Sequence, residues 1–224
     1  MSTLTNLDLI RRVPLFALIT PDQVVLLSNA VTKRRFKRGQ LIVEQGAKSD
    51  TLYIVLAGRA RVVIADGKGR EVILATLQPG DYIGEMSLID NEPHSASVGA
   101  EMQTDILMLG RAEFIRCLSD NALMAYSVMR GLVARLRKAD EKIGSLALMG
   151  VHARVAGVLQ DCAEPESDCL RVIHQKISRQ DIAKMVGASR EMVSRVMRDL
   201  EDQGFIETRD NGVIAIHERR AVAR

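Results

Sequence analysis

Aromatic residues make up only 3% of this 224-residue chain and tryptophan is absent, which counts against base stacking on single strands as its main activity. Long apolar runs are missing too. No stretch approaches the roughly 20 residues that cross a bilayer, and the opening MSTLTNLDLIRRVPLF has Asp8 and two arginines where a secretory leader needs its apolar centre. The chain is therefore expected in the cytoplasm, off the membrane. Cysteine is scarce: Cys117, Cys162 and Cys169 form no CxxC pair and none lies in the first hundred residues. That spacing fits neither a disulfide framework nor a zinc site, and no haem or iron–sulfur cluster is expected. His94, His152, His174 and His217 are scattered, so a cupin-type metal centre lacks its ligands and no metal site is assigned. No nucleophile–base constellation is present either, and the chain is not expected to be an enzyme.

The charge is nearly balanced, 31 basic against 28 acidic residues for a net +3. Nucleic-acid binding, if present, must come from a local basic face rather than a bulk field. A hydrophobic content of 47% suits one large or two small domains.

Asn121 to Met149 contains no proline and reads as one long helix, about 40 Å at 1.5 Å per residue. Ala125, Met129, Leu132, Leu136, Ala139, Ile143 and Leu146 recur at alternating steps of four and three, the spacing of a seam that pairs with a second helix. Arg130, Arg135, Arg137, Lys138, Asp140, Glu141 and Lys142 fill the solvated positions between. A core helix of one domain is the other reading; the sustained repeat favours self-pairing in a homodimer.

Before that helix, Thr20-Pro21-Asp22-Gln23 is a helix start with a capping box. From Thr32 to Leu109 short β-rich runs (QLIVE, TLYIVLAG, ARVVIA, EVILATL, SASVGA, TDILMLG) alternate with Gly39, Gly46, Gly58, Gly80 and Gly84 at candidate corners, with Asp66-Gly67 as a hairpin signal. This is the pattern of an antiparallel barrel or jelly roll. Gln78 to Ala96 breaks the alternation with a short helical turn and an extended return. Backbone N–H groups at such a helix start can cradle an anion.

After the long helix, Val151–Leu159 reads as a further helix and residues 163–168 as an acidic loop. Ser178-Arg179-Gln180-Asp181 caps a helix with Ile182, Ala183 and Val186 inward. Gly187-Ala188-Ser189 turns into a second helix, Arg190 to Asp202, with Val193, Val196, Met197 and Leu200 inward. The pair has helix-turn-helix spacing. Glu191, Ser194, Arg195 and Arg198 share the outer strip with Arg190 beside them, a mixed face suited to guanine and cytosine edges in a major groove. A solvated face with a Glu191–Arg195 ion pair is the bland alternative. Residues 205–209 and 213–216 flank Asp210-Asn211-Gly212 as a hairpin wing, with Arg209 near its tip for phosphate.

Two stretches resemble one family. GEMSLIDNEPHSA is similar to the phosphate-binding cassette of the CRP/FNR family, the relatives of the cyclic AMP receptor protein, and KISRQDIAKMVGASREMVSRVMRDLEDQGFI to its winged helix-turn-helix. The resemblance covers nearly the whole chain. It implies an α+β fold in three parts: a cyclic-nucleotide-binding-like β-roll at 1–120, a dimerisation helix at 121–149 and a winged helix-turn-helix at 150–224. By it, Gly84, Glu85, Met86, Ser87, His94 and Ser95 form an effector site, Glu85 toward a ribose and Ser95 toward a phosphate. His94 stands where the family has the phosphate-binding arginine. Ala139 and Asp140 stand where a Thr-Ser pair contacts adenine across the dimer. An imidazole has neither the fork nor the permanent charge of a guanidinium. The implied effector is thus a cyclic nucleotide other than cyclic AMP, cyclic di-GMP first, or none is needed. Arg179, Gln180, Ser189, Arg190, Glu191, Ser194, Arg195 and Arg209 are the implied contacts to double-stranded DNA, Arg190, Glu191 and Arg195 reading a TGTGA-like half-site. RNA polymerase is a further implied partner. A nucleotide-sensing subunit acting through protein contacts is the rival expectation.

Overall fold

The computed structural model describes residues 5–11, 13–17, 19–167, 170–209 and 212–217. Its contacts divide the chain into two compact units, Met1–Arg137 and Lys138–Arg224.

The first unit begins with α1 (Asn6–Arg11), a 3-10 turn (Pro14–Phe16) and α2 (Pro21–Ala30). Thr20 starts α2 through the expected capping box: its hydroxyl accepts from the Gln23 N–H and the Gln23 side chain accepts from its own. Strands β1 (Thr32–Phe36), β2 (Leu41–Val43), β3 (Thr51–Ala57), β4 (Ala60–Ala65), β5 (Glu71–Leu77) and β6 (Tyr82–Ile83) follow. After the short helix α3 (Glu85–Asp90) come β7 (Ser97–Ala100) and β8 (Thr104–Gly110), then α4 (Arg111–Asp120) and α5 (Ala122–Leu148). The strands form two antiparallel sheets, ordered β1-β8-β3-β6 and β2-β7-β4-β5, as the jelly-roll reading requires.

Strand β3 shows why the sequence alternates so weakly there. Val55 and Tyr53 join Phe36, Ile42, Leu77, Val98 and Ile106 in the core of the roll, while Leu52 and Ile54 point the other way. There they meet Ile10, Phe16, Leu27, Phe114, Met124 and Val128 from the surrounding helices. A strand buried on both faces reads as a continuous apolar run.

Gly39, Gly46, Gly58, Gly80 and Gly84 all have positive φ, as corner glycines do. The Asp66-Gly67 turn differs from expectation: the left-handed residue is Gly69, φ 75°, and Asp66 closes a longer turn by exchanging backbone hydrogen bonds with Gly69 and Arg70. The Asp66 carboxylate also accepts from the Lys68 and Arg70 amides, and this decides the longer form.

Helix α5 is continuous across the division between the units. Asn121 precedes it, its side-chain oxygen accepting from the Met124 N–H at 3.0 Å. Its inner face lies beside the expected seam, of which Met129, Leu136, Ala139, Ile143 and Leu146 are exposed. Met124 and Val128 are buried and Leu132 packs on the same core, so Leu132 serves its own chain. Leu123, Tyr126, Met129, Val133, Leu136, Ile143, Leu146 and Leu148 are the exposed large apolar residues of the helix.

In the second unit α6 (Val151–Cys162) is followed by β9 (Glu164–Ser167) and β10 (Leu170–Ile173). The acidic stretch read as a loop is thus a strand. All four of its residues are exposed and it pairs only with β10 at a sheet edge, so neither alternation nor burial marked it, and Pro165 is tolerated there. Helices α7 (Arg179–Val186) and α8 (Arg190–Asp202) and strands β11 (Ile206–Thr208) and β12 (Ile214–His217) complete the unit, with sheet order β11-β12-β10-β9. Val155, Leu159, Ile182, Val186, Val193, Met197, Leu200 and Ile214 form its core.

Candidate functional site

The cassette begins where β6 ends. Gly84 sits at φ 95°, and a Cβ there would lie 2.6 Å from the Thr51 carbonyl oxygen, so conformation and space both require glycine. This turn aims the first residue of α3 inward. Glu85 is 1% exposed, and its Oε1 accepts from Arg135 Nη1 of α5 at 2.5 Å. Arg135 also donates to the Tyr82 carbonyl and lies over the Tyr82 ring, 5.0 Å from its centroid. Gly131 makes this approach feasible, because a Cβ on it would collide with the Tyr82 hydroxyl. Burial pushes the Glu85 carboxyl above its ordinary value while Arg135 opposes the shift. Among the described residues Glu85 Oε2 and the Tyr82 hydroxyl are buried with no hydrogen-bond partner.

His94 is placed differently from a phosphate-gripping arginine. It is 7% exposed, its Nδ1 lies 3.1 Å from the Ser87 hydroxyl, and its buried Nε2 has no partner among the described residues. Burial lowers its pKa, so the ring is neutral at pH 7. Its backbone is fixed by bonds to both Gly46 and Ala47. Gly84, Glu85, Ser87 and His94 are therefore brought together, while Met86 and Ser95 are exposed. Ala139 and Asp140 are exposed on α5 beyond Arg137, within the second unit.

Arg135, expected in solvent, is instead the cation on Glu85. Its signal was present: Val128, Leu132 and Arg135 share one face of α5 at steps of four and three, and a buried glutamate needs a cation.

In the second unit Ser178 caps α7 by accepting from the Asp181 N–H at 3.0 Å, and Ser189 caps α8 through the Met192 N–H at 3.2 Å. Gly187, φ 64°, ends α7 in the left-handed conformation. Val193, Val196, Met197 and Leu200 are buried, which leaves Arg190, Glu191, Arg195 and Arg198 exposed on the opposite side of α8. Ser194 is half-buried and donates to the Arg190 carbonyl. Hydrogen bonds from its own N–H and the Ser189 hydroxyl hold Glu191 below the ordinary carboxylate value, and no Glu191–Arg195 ion pair forms among the described residues. Gln180 is exposed, and Arg179 faces Glu201 at 3.7 Å. Arg209, expected to be open for phosphate, instead pairs with Glu166 of β9 at 3.8 Å, an exposed contact that a phosphate can replace. Asp210 and Asn211 of the wing lie outside the described residues.

Residues 33–121 match the model for the cyclic nucleotide-binding domain and residues 153–224 that for the Crp-like helix-turn-helix domain. The cAMP-activated global transcriptional regulator Vfr of Pseudomonas aeruginosa is 32% identical over 196 residues, covering 84% of this chain and 90% of that protein. The chain belongs to the CRP/FNR family of transcriptional regulators. Among CRP/FNR structures, the catabolite activator protein of Thermus thermophilus is similar at 31% identity and TM-score 0.54, covering 92% of this chain and 94% of that one. The c-di-GMP-responsive global regulator CLP of Xanthomonas campestris shares the fold at TM-score 0.75 and 24% identity, over 90% of this chain and all of that one. As a CRP/FNR regulator the chain is a DNA-binding transcription factor with a cyclic nucleotide-binding domain. No helix among the described residues is long and apolar enough to cross a membrane, and none of their His, Cys, Asp and Glu side chains gather in threes to hold a metal.

Proposed function

We propose that the chain is a homodimeric regulator that reads a two-fold, TGTGA-like operator with α8 and answers to a nucleotide other than cyclic AMP through the cassette. One observation carries the effector part: the cassette's cation is Arg135 on Glu85, while the residue at the phosphate-binding position, His94, is a buried neutral ring turned onto Ser87. A cyclic monophosphate finds no guanidinium at that position. An anionic effector is met by Arg135 and must compete with Glu85 for it, which ties ligand entry to the hold on α5. Cyclic di-GMP, with two phosphates, is the first compound to test. Regulation without any effector is the second reading, favoured by the Glu85–Arg135 pair itself, which joins cassette and α5 using the chain's own groups. The open stripe of Tyr126, Met129, Val133, Leu136 and Ile143 supports the dimer, and a two-fold protein reads a two-fold site. RNA polymerase is the further partner that family membership points to, and that reading supports a cytoplasmic location.

Calorimetric titration with cyclic AMP, cyclic GMP and cyclic di-GMP, each followed by gel-shift on a palindromic TGTGA-type duplex, tests this. Binding of the dinucleotide with a change in DNA affinity is expected. Cyclic AMP binding that drives DNA binding would overturn the effector assignment. DNA binding untouched by all three selects the effector-independent reading, and no sequence preference at moderate salt would sink the operator assignment.

A further inference from the structure

The cassette helix α3 has only six residues, well below the roughly 12 at which an isolated helix becomes marginal in water, so whatever holds its ends decides where it lies. Its first residue is held by Arg135 through Glu85. Its last turn is held by a second arginine, Arg111, the first residue of α4. Arg111 Nη1 donates to the Leu88 carbonyl at 2.7 Å, and Nη2 donates to the Ser87 carbonyl at 2.8 Å and to Asn91 Oδ1 at 3.1 Å. Its Nε donates to the Asp50 carboxylate at 2.6 Å, and its backbone N–H to the Asp50 carbonyl at 2.9 Å.

The chemistry suits the place. The Ser87 carbonyl already accepts from the Asn91 N–H at 3.1 Å, but carbonyls in the last turn form the negative end of a helix dipole, so a cation there is favourable. A planar guanidinium serves several acceptors at fixed angles, which an ammonium does not. Ser87, whose carbonyl Arg111 grips, is also the residue whose hydroxyl meets His94.

Two arginines from consecutive helices thus hold α3 at opposite ends. Between α4 and α5 lies Asn121 alone, and Leu88 of α3, Phe114 and Cys117 of α4, and Met124 and Val128 of α5 share one core. A close-packed core has low compressibility and transmits strain.

We propose that Arg111 is a positioning residue that couples the cassette to α4 and α5, so that an effector displacing α3 moves α5 through Arg111 as well as through Glu85 and Arg135. This rests on the reading that the cassette controls the regulator, and it adds the second connection. Hydrogen exchange of the full-length chain, with neither nucleotide nor DNA present, tests it on R111Q, R111K and D50N. R111Q is expected to raise amide exchange roughly tenfold over residues 85–91 and several-fold over 128–137, with 151–209 at wild-type rates. R111K, which keeps the charge and loses the fork, and D50N, which removes one arm, give smaller rises in the same two segments. Faster exchange confined to 85–91 would make Arg111 a local brace and overturn the coupling; wild-type rates throughout would overturn the positioning role. Should R111Q fail to fold, R111K carries the same two-segment signature. Because no ligand enters the experiment, its failure leaves the effector assignment standing, and a failed nucleotide titration leaves this coupling measurable.

Discussion

Removing one member of the Glu85–Arg135 pair strands the other, and the two removals are not equivalent. Arg135 keeps 40% of its side-chain exposure and can rehydrate, whereas Glu85 is enclosed. R135Q is expected to cost roughly 1–3 kcal/mol, less than a fully buried pair because solvent screens the arginine. E85Q should cost less, and the double variant less than the sum of the two; urea unfolding of all four proteins reports this, and strict additivity would show that the charges do not interact. Asp105 and His94 also contribute to the response to acid. The hydrogen bond from Arg35, with Lys33 beside it, holds the Asp105 carboxyl down to about 2, below its unfolded value of 3.8. Its stabilisation is therefore complete above about pH 4 and lost as pH falls toward 2, on the order of 1–2 kcal/mol after discounting for the exposed arginine. His94 is also depressed, by burial, from 6.5. The unfolded chain takes up that proton first, so stability drops as pH falls through the ordinary histidine range. Thermal melts from pH 8 to 3 should show both steps, D105N removing the lower and H94Q the upper; an unchanged profile in H94Q would place its ring in water.

Helix α5 shows how an element can be legible in extent while its stripes are shared out only by the fold: of the expected seam Leu132 turns to the roll, whereas Met129, Leu136, Ala139, Ile143 and Leu146 are exposed. The 3/4 repeat located it to within a residue or so, yet the same repeat allowed two neighbouring stripes, and the side that packs on the roll was settled only by what the roll presents. Met124, Val128 and Leu132 lie inward; Val133 and Leu136, the latter 62% exposed, lie outward. Substituting Val133 and Leu136 with glutamate should therefore yield a folded monomer by analytical ultracentrifugation, whereas L132E should lower the melting temperature; an unchanged mass for the first variant would reject the stripe as the dimer seam. Strand β9 was illegible for a different reason. Its four exposed residues are ordered by backbone pairing to β10, and backbone pairing leaves no mark on side-chain pattern. Helix α8 lies at the other extreme, because its Ser189 cap and its inner apolar row are both local signals.

At the scale of the whole molecule, operator recognition separates base reading from phosphate contact. R190A or R195A is expected to cost about 1–3 kcal/mol on the operator and to relax preference at one base position, while R209A should weaken all duplexes alike and lower the salt slope by about 1. Gel shifts across a salt series measure both, and equal losses on operator and random DNA for R190A or R195A would remove those residues from base reading. What the chain's own order of residues determined is the set of local features: the turn glycines, the capped helices, the apolar rows of α7 and α8, the hairpin wing and the cassette motif with histidine in its arginine position. Each depends on neighbours within a few residues, so each is written where it acts. The tertiary structure alone decided that Arg135 answers Glu85, 50 residues away, that Arg111 closes the far end of α3, that His94 turns inward onto Ser87, and which side of α5 stays open. Those outcomes depend on which charges and apolar surfaces the fold brings together across the chain, and a buried carboxylate takes whatever cation packing delivers to it.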